Sequence, residues 1–215
     1  IIGAFAGDGS YNYKDYDNRG PKHLIRFALS FYKDKEYKDY LMQLLKNFKL
    51  NPYLCFKRNK EKNIVAFDIR TISVQFINFI KENLTWDEKL RSINQNKNSK
   101  IKTYSVCLKK DISNYSLDFL LGFSRGLMDT DGFVGENNVG CGVVSEELIE
   151  NLKKILEKIK TNFEIRILKR PPNRKDLYIL TIKKEELGKY YLNIGFSNLR
   201  KERKLLKILN EAARI

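Results

Sequence analysis

The feature that most constrains this chain is an internal duplication. Residues 1–9 read IIGAFAGDG and residues 124–132 read SRGLMDTDG, so glycine stands third, aspartate eighth and glycine ninth in both. The two aspartates, Asp8 and Asp131, are separated by a little over half of the 215 residues. The stretch downstream of each segment repeats as well. After the first come a polar turn at Asp15–Pro21, an alternating strand over Leu24–Tyr32, a helix carrying Tyr37, Tyr40, Leu41, Leu44, Leu45 and Phe48, and two strands, Tyr53–Arg58 and Ile64–Arg70. A helix over Ser73–Leu84 closes the unit. After the second come a short strand at Cys141–Val144 and a helix opened by Ser145 and filled by Leu148, Leu152, Ile155, Leu156 and Ile159. The strands Glu164–Arg170 and Leu177–Lys183 come next, then helices over 185–194 and 199–213. The pattern predicts an α+β protein of two αββαββα units, residues 1–84 and 117–215, joined by a basic linker at 85–116. That linker carries Lys89, Arg91, Lys97, Lys100, Lys102, Lys109 and Lys110, and reads either as a path along a polyanion or as a solvated tether.

Read as helices, the repeated segments have a purpose. Gly3 and Gly7 are four apart, as are Gly122, Gly126 and the small Thr130. Small residues at that spacing form one face on which two backbones approach closely. If a pseudo-twofold axis relates the units, both helices end at the same level, each at an Asp-Gly where Gly9 or Gly132 lets the chain leave the helix. Two carboxylates then meet at two electronegative helix ends, an arrangement that gains nothing in stability. A divalent cation relieves the repulsion, and hard oxygen ligands suit Mg²⁺.

Composition narrows the chemistry. There are 41 Lys and Arg against 26 Asp and Glu, a formal charge of +15, spread through strands, linker and C-terminus rather than gathered in one tail. Dispersed positive charge favours an extended groove for a polyanion over a basic membrane helix. With His23 the single histidine, neither a histidine triad nor a multi-histidine metal site is possible. Cys55, Cys107 and Cys141 are isolated and read as small buried hydrophobes in a reducing compartment. No apolar run long enough to span a membrane and no secretory signal is present, which predicts an intracellular protein. Asp129-x-Asp131-Gly132 does not make an EF-hand, because Val134 stands where that loop needs glycine.

These two segments resemble the LAGLIDADG motif of homing endonucleases in the single-chain, two-motif form. The second, GLMDTDG at Gly126–Gly132, is close to the family pattern; the first departs from it at Ala6, where an acidic residue is usual. The chain opens on the motif itself with Ile1, which reads as a trimmed or processed form. The resemblance implies a saddle of two antiparallel sheets that reads duplex DNA in the major groove, and a monomer that cuts both strands. It implies Asp8 and Asp131 as catalytic, metal-binding acids, with backbone carbonyls at Gly7 and Thr130 as further ligands. Two or more Mg²⁺ ions would serve, with Mn²⁺ or Ca²⁺ substituting for binding. The family also uses a basic residue near the pocket, for which Lys33 and Lys201 are the candidates.

On the open faces of the strands, the residues opposite the apolar positions would meet DNA. These are Arg26, Ser30, Tyr32, Lys57, Ala66, Asp68 and Arg70 in the first unit, and Arg166, Arg170 and Lys183 in the second. Tyr11 and Tyr13 either approach the DNA backbone or pack in the core. The rival reading is a non-cleaving nucleic-acid binder on the same scaffold, an RNA maturase or a regulator; a protein-interaction module with incidental charge is a third. An intein is not supported, since residue 1 is no nucleophile and the chain lacks a His-Asn ending.

Overall fold

In the computed structural model, residues 1–14, 22–87, 102–171 and 174–212 are described. The predicted turn at Asp15–Pro21, the linker cations Lys89, Arg91, Lys97 and Lys100, and Pro172 and Asn173 lie outside them. The first unit runs α1 (Ile2–Asp8), β1 (Gly9–Lys14), β2 (Lys22–Ser30), α2 (Lys35–Asn47), β3 (Tyr53–Arg58), β4 (Ile64–Ile72) and α3 (Val74–Asn83). A connection comes next, with β5 (Leu84–Thr85), α4 (Lys102–Ser105), β6 (Cys107–Leu108) and a 3-10 turn at Ile112–Asn114. The second unit is α5 (Leu117–Thr130), β7 (Gly132–Val134), β8 (Asn138–Val143), α6 (Glu146–Lys158), β9 (Glu164–Leu168), β10 (Leu177–Lys183), α7 (Leu187–Asn193) and α8 (Leu199–Ala212).

Each unit builds a four-stranded antiparallel sheet, in the orders β1-β2-β4-β3 and β7-β8-β10-β9. The αββαββα reading therefore holds in both halves. Alternation decides which face is buried. Ile25, Phe27, Leu29, Phe67 and Ile69 point into the core of the first unit; Val139, Cys141, Val143, Leu180 and Ile182 do so in the second. Helices cover those inner faces, with Tyr37, Leu41 and Leu45 from α2 and Leu148, Leu152, Ile155 and Leu156 from α6. Ser73, Ser116 and Ser145 each cap the helix they precede, accepting from Phe76, Phe119 and Leu148 backbone N–H groups.

Two expectations are corrected. Strand β2 ends at Ser30, so Tyr32 stands in the turn after it, 76% exposed. The described end of the linker is no solvated tether. Val106, Leu108 and Ile112 are buried, β5 pairs with β6, and the Leu108 N–H donates to Asn151 Oδ1 at 2.8 Å. A segment that buries apolar residues at this density belongs to the core.

Candidate active site between the two glycine helices

The site is made by α1 and α5, which pack against each other more closely than side chains permit. A Cβ on Gly3 would lie 1.8 Å from the Phe123 carbonyl oxygen, and one on Gly126 would lie 2.8 Å from the Ala4 nitrogen. Toward the C-terminal end, a Cβ on Gly7 would fall 2.1 Å from Thr130 Oγ1 and 3.1 Å from Asp131 Oδ2. Gly3, Gly7, Gly126 and Thr130 thus form the seam. Gly122 does not, since open space surrounds it. Gly9 and Gly132 are needed for a different reason than predicted. Gly9 is in an ordinary extended conformation, but a Cβ there would stand 2.5 Å from the Phe5 backbone. At Gly132 it would stand 2.3 Å from the Met128 carbonyl oxygen. Each strand folds back on the helix it leaves, four residues upstream, and only glycine fits.

This geometry brings Asp8 and Asp131 together at the foot of the seam. Burial first, then the charges of Asp131 and Asp34, push the Asp8 carboxyl up to about 7; Lys102 and Lys201 pull the other way. Burial also raises Asp131, against the same two lysines. Two enclosed carboxylates that resist ionisation are costly in a folded protein and mark a candidate functional site.

Two lysines meet that charge in matching positions. Lys201 is 4% exposed, and its Nζ donates to the carbonyl oxygens of Met128, Asp129 and Thr130 at 2.8, 2.7 and 3.1 Å. Lys102 Nζ donates to those of Phe5, Ala6 (2.6 Å) and Gly7 (3.0 Å). Each ammonium closes the last turn of one seam helix, at the negative end of its dipole. Desolvation lowers both; Lys102 falls to about 8 although Asp131 and Asp8 hold it up. The Gly7 and Thr130 carbonyls each accept from one ammonium and keep a second lone pair.

Of the two basic candidates, the structure brings Lys201 to the site. Lys33 is exposed at the turn after β2, where its carbonyl accepts from Arg200 Nε at 2.9 Å. Lys102 escaped sequence reasoning as a site residue, because it stood among linker lysines and its carbonyl partners are distant in sequence. The acid at the sixth motif position, Asp129, is buried and structural: its Oδ1 accepts the backbone N–H groups of Ser197 and Asn198 at 2.8 and 2.9 Å, just before α8. Burial nonetheless holds it up at about 6.

On the open face of the first sheet lie Arg26, Ser30, Lys57, Ala66 and Arg70, as alternation predicts. Asp68 shares the face but is fully buried, covered by Arg26, Lys57 and Arg70 at 3.7, 3.1 and 3.0 Å. A carboxylate enclosed by three cations is their anchor and not itself a contact for DNA. In the second sheet Arg166 is exposed on the open face, Lys183 pairs with Glu164, and Arg170 lies past the end of β9, its N–H donating to Asp176. Tyr11 stacks on His23, with 2.8 Å between Tyr11 Oη and His23 Nδ1, and packs against the core; the Tyr13 side chain lies outside the described residues. The cysteines are free, Cys141 being buried. No helix among the described residues is long and apolar enough to cross a membrane.

Comparison with known proteins adds an independent line. Residues 118–195 match the family model of the LAGLIDADG-like domain. The chain is similar to the uncharacterized protein MJ0398 of Methanocaldococcus jannaschii, 24% identical over 221 residues that span 97% of this chain and 70% of that protein. The homing endonuclease I-DmoI, in complex with DNA and Mn, aligns with a TM-score of 0.59 at 14% identity, covering 90% of this chain and 92% of that one. The homing endonuclease I-WcaI bound to its DNA recognition sequence gives 0.51 at 15% identity, covering 90% and 77%. The N-terminal LAGLIDADG domain of DUF199/WhiA gives 0.51 at 16%, covering 90% and 78%. At these identities the solved structures share the fold.

Proposed function

We propose, for a chain that has the LAGLIDADG homing endonuclease fold with both units in one polypeptide, that it is a site-specific double-strand DNA endonuclease. The observation that carries this is the convergence of Asp8 and Asp131 at the foot of the glycine seam, where one helix of each unit meets the other.

The residues fit divalent metal. The donor set is all oxygen: two carboxylates held against their preference for the neutral form, and two carbonyls with a lone pair to spare. Among the described residues no third acidic, histidine or cysteine side chain joins them, so phosphate oxygens and water would complete the coordination. Mg²⁺ bound there would lower the pKa of a water and neutralise charge on the leaving oxygen. The protein's own part is positioning. The seam fixes the spacing of the acids, because the two backbones meet directly at Gly3 and Gly126. Lys102 and Lys201 lock the two helix ends and lend positive charge where a scissile phosphate would enter. One acid from each unit suits the two strands of a duplex. The basic face of the first sheet would hold the backbone and read bases in the major groove.

The test is incubation with a random duplex library and Mg²⁺, then recovery of cut ends. A defined cut site, lost in Asp8→Asn and Asp131→Asn while binding persists, is expected. Duplex binding without scission in Mg²⁺ or Mn²⁺ would instead leave the non-cleaving binder.

A further inference from the structure

The two open sheet faces are chemically unlike. On the first, Arg26 on β2 and Arg70 on β4 are direct cross-strand partners, an arrangement of like charges that is destabilising by itself. Asp68 removes the conflict. It lies two residues before Arg70 on β4, faces the same way, and engages both guanidiniums and the Lys57 ammonium while being completely enclosed. Its hydrogen bond to Arg70 is the main reason that guanidinium is held even more firmly protonated than usual. Three cations on one carboxylate leave a net positive cluster whose forks are already oriented. Each arginine is about one-third exposed and has N–H groups left over.

Among the described residues, the second sheet has nothing comparable. Its open face carries Phe133, which lies over Gly140, and Leu177, 3.8 Å from where a Cβ on Gly142 would stand. Leu168 is the cross-strand partner of Leu177, and Ile179 that of Arg166. Lys183 is neutralised by Glu164, and Arg166 makes no ion pair among the described residues. Where the first face offers oriented donors, this one offers methyl and aromatic surface.

Base edges in the major groove answer to those differences. A fixed guanidinium pairs bidentately with guanine O6 and N7, whereas apolar side chains contact the thymine methyl. Resting on the DNA-binding reading above, we propose that the half-site beneath Arg26 and Arg70 carries guanine and the half-site facing the second sheet carries thymine, and that Asp68 is the positioning residue for the guanine reading. It acts by holding two arginines in one register and touches no base.

The experiment is selection of bound duplexes from a random library by the whole chain, with Ca²⁺ in place of Mg²⁺, for the natural sequence, Asp68→Asn and Arg70→Lys. The natural sequence is expected to recover guanine in one half-site and thymine in the other. Asp68→Asn keeps every cation, so binding at low salt persists while guanine preference falls roughly tenfold or more. Arg70→Lys keeps the charge and loses the fork, so preference falls at one position only; it also serves should Asp68→Asn fail to fold. Thermal melting separates a structural loss from this one, since a merely destabilised sheet weakens binding to all sequences alike. Bound sites with the same base preference in both halves, or guanine preference unchanged in both variants, would overturn the inference while leaving DNA binding intact. Absence of binding to any duplex would overturn the underlying reading as well.

Discussion

Asp8→Asn is expected to make the metal-free protein more stable while abolishing scission. The folded protein raises this carboxyl from 3.8 to about 7, mainly by burial and then by the neighbouring acids. Below pH 3.8 the group is protonated whether folded or not, and its ionisation costs nothing. As pH climbs through that value the unfolded chain ionises while the folded one holds its proton, so stability is lost progressively until about pH 7, above which the loss is constant. Each tenfold change in proton affinity is worth about 1.36 kcal/mol, so the full rise sets an upper bound of about 4 kcal/mol. Water penetration and relaxation reduce this, and about 2 kcal/mol is the working expectation. An asparagine never ionises and so avoids the loss. For a chain of this length that is about 4–8 °C in melting temperature at pH 8, shrinking toward zero at pH 4. Melting curves of both proteins with chelator at about pH 8, 6 and 4 measure it. Mg²⁺ then raises the melting temperature of the natural protein at the alkaline end and does so less for the variant. Equal melting temperatures there, or a variant that is the less stable of the two, would refute the claim that the two acids are held against their electrostatic preference.

Other outcomes rest on the same geometry. Gly3→Ala puts a Cβ 1.8 Å from the Phe123 carbonyl oxygen and should cost about 3 kcal/mol or more. Gly122→Ala, with open space around it, should stabilise by up to about 1 kcal/mol through helix propensity, and urea denaturation compares the two. Lys102→Met and Lys201→Met each strip an ammonium from three carbonyls and should cost about 3 kcal/mol, read as a lower melting temperature, with cleavage lost even where folding is retained. Duplex affinity should fall with salt at a logarithmic slope steeper than about −4, as neutralisation of about five phosphates requires; a flat titration would count against a groove for DNA.

Much of this architecture was legible because it is periodic. Glycines four apart announce a helix seam, and alternation assigns Arg26, Lys57, Asp68 and Arg70 to one face. Periodicity says nothing of where a contact ends, however. Gly122 continues the small-residue pattern, yet nothing lies within 4 Å of where its Cβ would stand, so it adds nothing to the seam. Nor does it reveal what a neighbour covers. Asp68 has the pattern of an exposed strand residue and is buried by three side chains from its own and adjacent strands. Lys102 was hidden by distance. In a run of linker lysines it looks solvated, and only the fold brings it beneath carbonyls of the first helix.

The duplication also shows that equivalence of the two units lies in the site and not in how each is built. In the second unit the sixth motif residue, Asp129, accepts the backbone N–H groups that open α8, and that helix carries Lys201 back to the last turn of α5. Ala6 occupies the same place in the first unit and has no side chain with which to hold a helix. There, Lys102 arrives from α4, a single turn within the linker, whose neighbour Val106 is buried and accepts from Ser145 Oγ at 2.7 Å. The departure at Ala6 is therefore matched by a different route for the lysine. The buried acid at 129 satisfies two backbone donors, whereas the methyl group of Ala6 is buried without the cost of desolvating a charge.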